Sequence, residues 1–309
     1  MLGAAIVGSA FGFMQDLYFS AGMVGLLCVG LLVYGVRAMF LGRARHERVD
    51  RDGGSLFVGK RFMEFGYWLI GPVVGLLDRA GATPDRVTLF SIVPAAGAGV
   101  AVAFGWFGLS CFLATMAACA DIIDGLLARR QGVSSDAGEV LDATVDRYSE
   151  FFFMAGLVMY YRDHVAVCVL VLAALAGGYM VSYATVKAEA MQVPAPRGSM
   201  RRSERAVYLF FGAGFTPLAE LLAGPDRSLL VRQAPILLAV AIVAVVSNVS
   251  VVRRVGSIVA LIRAREAEAK LDGARLTAGG ATATPENGAA LNGHGPTANG
   301  AARNRMGAS

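Results

Sequence analysis

Charge is scarce in this chain. Only 17% of its 309 residues are Asp, Glu, Lys or Arg, whereas 56% are hydrophobic, and the mean hydropathy is +0.57. That balance excludes an ordinary water-soluble globular protein, which carries more charge on its surface. Cysteine is scarce as well. Cys28, Cys111, Cys119 and Cys168 all sit inside apolar runs, no CxxC occurs, and the three histidines do not cluster. A disulfide scaffold or a structural zinc site therefore has no support, and the cysteines read as small apolar packing residues. The apolar runs show no strict alternation, which argues against a transmembrane β-barrel. No repeat of fixed period is present. The N-terminus lacks a basic n-region and its first apolar run leads into a longer one, so no cleavable signal peptide is expected.

What the chain does have is long apolar runs. Several reach the length of about 20 residues that a helix needs to cross a ~30 Å hydrocarbon core. The expected fold is all-α: a polytopic membrane protein with a six-helix transmembrane core, one extra N-terminal transmembrane helix and an interfacial amphipathic helix. The N-terminal unit covers 1–42, with its span at about 18–41 and a preceding run too short to be a separate span. Residues 43–80 form a charged, Gly-containing linker followed by "FVGKRFMEFGYWLIGPVVGLLDRA", whose mixed aromatic, basic and acidic pattern suits an interfacial helix. A catalytic domain spans 81–265, with helices at about 86–106, 107–127, from 138 onward, 165–188, 205–222 and 233–253. Residues 266–309, rich in Gly, Ala, Asn and Thr, read as a disordered cytoplasmic tail.

The net charge is +5 and the isoelectric point about 9.2. Nucleic acid is the usual partner of a basic protein, but the distribution of the charge points to the membrane instead. With the N-terminus outside, one side of the membrane receives Arg43, Arg45 and Arg48, the 128–138 connection, Lys187–Arg205, and Arg253, Arg254, Arg263 and Arg265. The opposite connections, Gly105–Gly108, Arg162–His164 and Gly224–Arg232, are short, and nearly every basic cluster falls on the first side. By the positive-inside rule the basic side is cytoplasmic, and the expected location is the cell's inner (plasma) membrane. No nucleic-acid partner is expected.

Against this background one segment stands out: "DIIDGLLARRQGVSSDAGEVLDATVDR", Asp121 to Arg147, with five aspartates. On a helix, Asp121, Asp124, Gly125, Ala128 and Arg129 are spaced i, i+3, i+4, i+7, i+8 and share a face. Gly138, Asp142 and Asp146, at i, i+4 and i+8, share a face of the next helix. A short reversal joins the two, so they are antiparallel neighbours whose acidic stripes can meet. Four converging carboxylates repel one another and require neutralisation. Hard divalent cations with oxygen ligands supply it, and a pair of such ions clamps phosphoryl groups. Small Gly125, Ala128 and Gly138 leave room for a ligand, and Arg129 can hold phosphate through two parallel bonds. Asp136 falls on neither stripe and reads as a solvated loop residue.

The spacing D-x2-D-G-x2-A-R-x8-G-x3-D-x3-D, eight defined positions from Asp121 to Asp146, resembles the signature of the CDP-alcohol phosphotransferase family. The resemblance runs from about Gly81 to Arg254. It implies a six-helix membrane enzyme that takes a lipid-linked CDP-alcohol, commonly CDP-diacylglycerol, and passes its phosphatidyl group to an acceptor hydroxyl with release of CMP. It implies that Asp121, Asp124, Asp142 and Asp146 bind a two-metal site of Mg²⁺ or Mn²⁺, and that Asp146 is also the catalytic base. Gly125, Ala128, Arg129, Ser135 and Gly138 would contact the nucleotide, joined by Asp85 and Thr88 of "TPDRVT". A homodimer is suggested by the same resemblance.

For the acceptor, "SYATVKAEA…RRSERAVYLFFGAG…VSNVSVVRR" looks like the branch that makes phosphatidylinositol phosphate. Ser182, Lys187, Arg202, Arg205 and Arg254 are then the acceptor contacts, with Thr185 standing where that branch has lysine. The acceptor is a small phosphorylated alcohol, best matched by inositol phosphate, with glycerol 3-phosphate as the alternative. A cation-coupled transporter is the alternative of another class. Transporters place such acids near the midplane at broken helices, whereas these fall at the ends of continuous ones.

Overall fold

A computed structural model describes residues 2–41, 60–194 and 200–280. Among the described residues the chain is helical, with no strand. The helices are α1 (Leu2–Leu41), α2 (Lys60–Arg79), α3 (Pro84–Ala103), α4 (Phe107–Gln131), α5 (Asp136–Tyr160), α6 (Val165–Ala190), α7 (Arg202–Ala223), the short α8 (Leu229–Arg232) and α9 (Ala234–Gly280). Six are long and apolar enough to cross a membrane: α1, α3, α4, α6, α7 and α9. Helix α5 has the length of a span, but its first half carries the acids that lower its hydropathy. The fold is that of a multi-pass helical membrane protein.

Local chemistry marks the helix ends. Pro84 opens α3 behind extended Thr83, a position where its missing N–H is no loss. Gly132, at φ 67°, ends α4 in the left-handed conformation that glycine adopts without strain. Its neighbour Val133 donates back to the Ala128 carbonyl at 3.1 Å. Ser135 caps α5, its Oγ accepting from the Gly138 N–H at 3.1 Å.

The core is one apolar cluster fed by α3, α4, α5, α6, α7 and α9, the six helices anticipated for the catalytic domain. Val102, Phe107, Met154, Leu157, Val171, Ala213, Ile236 and Val240 are its most buried members. Helix α3 packs closely on both α4 and α5, while α4 and α5 touch each other little. The α3–α5 crossing is a backbone contact: a Cβ on Gly99 would strike the Phe152 carbonyl, and one on Gly156 would strike the Gly99 carbonyl. Small residues at the crossing allow this approach in a membrane, where close packing rather than water exclusion drives association. At the far end of α5, fully buried Gln233 accepts from the Tyr161 hydroxyl at 2.6 Å and donates to Glu220 at 2.9 Å.

The N-terminal helix differs from expectation. Rather than a span at 18–41 behind a short separate run, α1 is one 40-residue helix from Leu2. Its apolar outer face is open to lipid, with Leu26, Leu32 and Phe40 largely exposed. Its inner face carries buried Asp16, which accepts from the Leu109 N–H at 2.9 Å and so caps the start of α4. Gly108 permits this, since a Cβ there would strike Asp16 and Ser20. Helix α2 is amphipathic as expected. Ile70 and Val74 pack on Leu127 of α4, buried Glu64 accepts from Tyr34 of α1 at 3.1 Å, and Asp78 accepts from Arg130 at 2.7 Å.

Residues 262–280 are helical. The expectation of disorder from 266 onward is therefore corrected for 266–280, where Ala, Glu, Lys, Leu and Arg are strong helix formers. Residues 281–309, and the linker at 42–59, lie outside the described residues.

The glycine crossing is testable by thermal unfolding in detergent. Gly156→Ala overpacks a backbone contact and lowers stability by about 1–3 kcal/mol. Gly22→Ala, whose added Cβ meets nothing within 4 Å, leaves the transition unchanged or slightly raised.

Candidate active site

The α4–α5 hairpin carries the acids. Asp121 and Asp124 lie in the second half of α4 and Asp142 and Asp146 in the first half of α5, and α3 behind them sets the spacing. Carboxylate oxygens of Asp121, Asp142 and Asp146 lie within 4.8 Å of one another. Asp124, 6% exposed, sits beside them and accepts a hydrogen bond from Thr88 of α3. Thr88 is thus the side chain that orients this fourth carboxylate. The facing of the two stripes anticipated from helical spacing is present.

The cation bonded to this cluster comes from outside the motif. Arg202, at the start of α7, donates through Nη1 to Asp121 at 3.2 Å and also bridges to Asp146. Arg147 stands 4.0 Å from Asp146 and spends a donor on the Ala143 carbonyl. Arg202 had been expected on the acceptor; here it lies on the acids. Four aspartates exceed what one bridging guanidinium neutralises, and their oxygens are hard donors converging on one point. The residues present therefore fit divalent cations.

The residues assigned to the nucleotide gather around the same hairpin. A Cβ on Gly138 would lie 3.4 Å from Ser135 Oγ and 3.8 Å from Asp85 Oδ1, so Asp85, Ser135 and Gly138 share one corner. The Arg129 guanidinium folds back over Gly125, whose hypothetical Cβ would sit 3.5 Å from Nη1. Ala128 is half-buried on the same face. Arg130 takes a supporting role through Asp78. Asp136, expected in a loop, is the exposed first residue of α5.

On the acceptor side the structure separates residues that the sequence grouped. Arg205 is 1% exposed and fully engaged: Nε and Nη2 donate to Glu150 at 2.7 and 2.9 Å, and Nη1 to the Met200 carbonyl at 3.2 Å. It is the partner of a buried carboxylate. Ser182 donates to its own helix at Gly178, and Lys187 is exposed at the end of α6. Arg254 stands apart from these. It is 8% exposed, its described hydrogen bond is to Thr185, and its Nε has no partner. The charge acting on it is that of Arg201, another cation. A buried guanidinium facing a second guanidinium calls for an anion.

Sequence reasoning missed Glu150. Glu150 had a signal, since it follows Asp146 by four residues and extends the same stripe. The Glu204 carboxylate fixes the start of α7, accepting from the Met200 and Arg201 N–H groups at 2.8 and 3.1 Å.

Comparison with known proteins agrees with this geometry. The chain is 32% identical over 207 residues to a phosphatidylinositol phosphate synthase of Streptomyces avermitilis, covering 65% of this chain and 82% of that protein. It is 34% identical over 151 residues to the Mycolicibacterium smegmatis protein of the same name, covering 48% of this chain and 68% of that one. Two crystal structures of the Mycobacterium tuberculosis phosphatidylinositol phosphate synthase share the fold at 25% identity. The form with CDP-DAG bound has a TM-score of 0.53 and covers 61% of this chain and 92% of that one. The complex with manganese and citrate has a TM-score of 0.54, covering 61% and 88%. The CDP-alcohol phosphatidyltransferase family model matches residues 82–247, which include every acidic residue of the cluster. With its motif, its helical core and its relatives in agreement, the chain belongs to the CDP-alcohol phosphatidyltransferase family and is a membrane transferase.

Proposed function

We propose that this protein transfers the phosphatidyl group of CDP-diacylglycerol to a hydroxyl of a phosphorylated alcohol, inositol phosphate, at the cytoplasmic face of the inner (plasma) membrane. The observation that carries the reading is the pairing of two unlike sites. One is the cluster of Asp121, Asp142 and Asp146 with Asp124 beside it. The other is the buried, anion-seeking Arg254 next to Arg201. A donor diphosphate suits the first and an acceptor phosphate the second. The identity of the relatives points the same way, and the one-sided distribution of basic residues supports the cytoplasmic orientation. The family resemblance also carries a homodimer.

In this reaction the acceptor oxygen bonds to the β-phosphorus of the donor, the bond to the α-phosphate oxygen breaks, and CMP leaves. Asp121, Asp124, Asp142 and Asp146 would hold divalent cations, Mg²⁺ or Mn²⁺, which supply neutralisation of the diphosphate and of the departing CMP. Asp146, 7% exposed on the cavity wall, takes the hydroxyl proton. Arg202 holds the aspartates together and offers its remaining donors to the site. Asp85, Ser135, Gly138 and Gly125 shape the corner that receives the nucleotide, and Arg129 lies over it.

The decisive assay is CMP release by purified protein in detergent with CDP-diacylglycerol and Mg²⁺, comparing inositol phosphate, glycerol 3-phosphate, serine and inositol. Turnover with inositol phosphate is expected; absence of CMP with every acceptor rejects the reading, and preference for glycerol 3-phosphate reassigns the acceptor. Asp146→Asn is expected to lose about 10²–10⁴-fold in rate, while Asp136→Asn retains parental activity. Chelation with EDTA abolishes CMP release and added Mg²⁺ or Mn²⁺ restores it. Arg254→Ala raises the KM for inositol phosphate by about tenfold or more and leaves that for CDP-diacylglycerol unchanged.

A further inference from the structure

A cavity runs from Asp121 and Asp146 into the bundle between α3, α4, α5 and α7. Its depth is apolar, with Ala98, Ala114 and Phe153 on the wall. Its remaining polar wall is Ser91, Ser149, Glu150, Arg202 and Arg205. The hydrogen-bonding state of these groups is uneven. Ser91 donates its hydroxyl proton to the Thr88 carbonyl at 2.6 Å, and Ser149 donates to the Val145 carbonyl at 2.9 Å. All three Arg205 nitrogens donate to Glu150 or Met200, and Arg202 is turned to the aspartates. Below the aspartates, the hydroxyl protons of Ser91 and Ser149 and each nitrogen of Arg205 are thus engaged within the protein, Arg202 keeping its Nε and Nη2 donors nearer the mouth, whereas the acceptors of this inner wall are not used up. Each carboxylate oxygen has two lone-pair sites, and Glu150 uses one per oxygen on Arg205. The serine oxygens keep lone pairs as well.

A cavity of free acceptors selects a ligand that brings donors. Hydroxyls do; a phosphate dianion does not, and the Glu150 carboxylate would repel it. We propose that Glu150, one turn after Asp146 on the same face of α5, is a specificity-determining residue that accepts hydrogen bonds from hydroxyls of a polyol acceptor. Arg205 holds that carboxylate in place. Gly178 lets the pair close, since a Cβ there would crowd both Glu150 Oε1 and Arg205 Nε. The inference rests on the proposed transfer to a phosphorylated alcohol and adds its orientation: polyol end inward beneath Asp146, phosphate outward at Arg254.

The test replaces the ion pair as a unit, because removing one partner strands a buried charge whereas an apolar pair of similar volume is tolerated. In Glu150→Met/Arg205→Met, the KM for inositol phosphate rises by about tenfold, the loss of a charge-assisted hydrogen bond. The KM for CDP-diacylglycerol stays within about twofold. A folded double variant whose inositol phosphate KM is unchanged overturns the inference. A second measurement needs no altered pair: unphosphorylated inositol, filling the inner cavity, competes with inositol phosphate in the parent, and Arg254→Ala leaves that inhibition intact. No competition, or competition lost with Arg254, overturns it. Parental turnover of inositol phosphate separates the two failures: without it the proposed function falls and takes this inference with it, whereas with it only the role of Glu150 is rejected.

Discussion

The close crossing of α3 and α5 at Gly99 and Gly156 is the contact on which the site depends. Helices α4 and α5 carry the aspartates but make little contact with each other, as four carboxylates on facing stripes would dictate. Helix α3 brings them together by packing on both. Through Thr88 it also touches the acidic cluster directly, holding Asp124 while the other three carboxylates converge. The small residues of α3 and the alanines of α4 allow backbones to approach, and the same small side chains leave the cavity that runs inward from Asp146.

Charge in a low-dielectric surrounding must be matched locally, and this fold treats three arginines differently. Arg202 bridges the aspartate cluster. Arg205 closes on Glu150. Arg254 is left with the Thr185 hydroxyl and a buried Nε that has no partner. Three arginines close together in sequence or space thus serve three purposes, and the difference arises from what each faces across the helix interface rather than from any difference in the residue. The N-terminal helix takes part in the same economy of polar groups: Asp16 supplies the cap that Trp106 cannot provide at the start of α4, which makes α1 a component of the packed fold and not only an anchor.

Much of this was legible in the sequence. Apolar runs of spanning length announced the helices because lipid leaves a backbone no other way to satisfy its polar groups. Asp121, Asp124, Asp142 and Asp146 announced a shared face because helical periodicity converts spacing into direction. The expectations that needed correction were of another kind. The 266–280 segment looked like a tail by composition but continues a helix, since local propensity there outweighs the absence of an apolar face. Which acid each of Arg202 and Arg205 faces is likewise not carried by position in the chain.

The sequence by itself determined the class of fold, the helix order, the acidic motif and the chemistry it can support, because each of these follows from residue type and short-range spacing. Only the tertiary structure decided which arginine faces which acid, that Glu150 occupies Arg205, that Thr88 holds Asp124, and that Asp16 caps a helix 93 positions away. Those outcomes depend on interhelical contacts between residues far apart in the chain. Such contacts are set by how small side chains let helices approach, a property of pairs of surfaces that no single stretch of sequence contains.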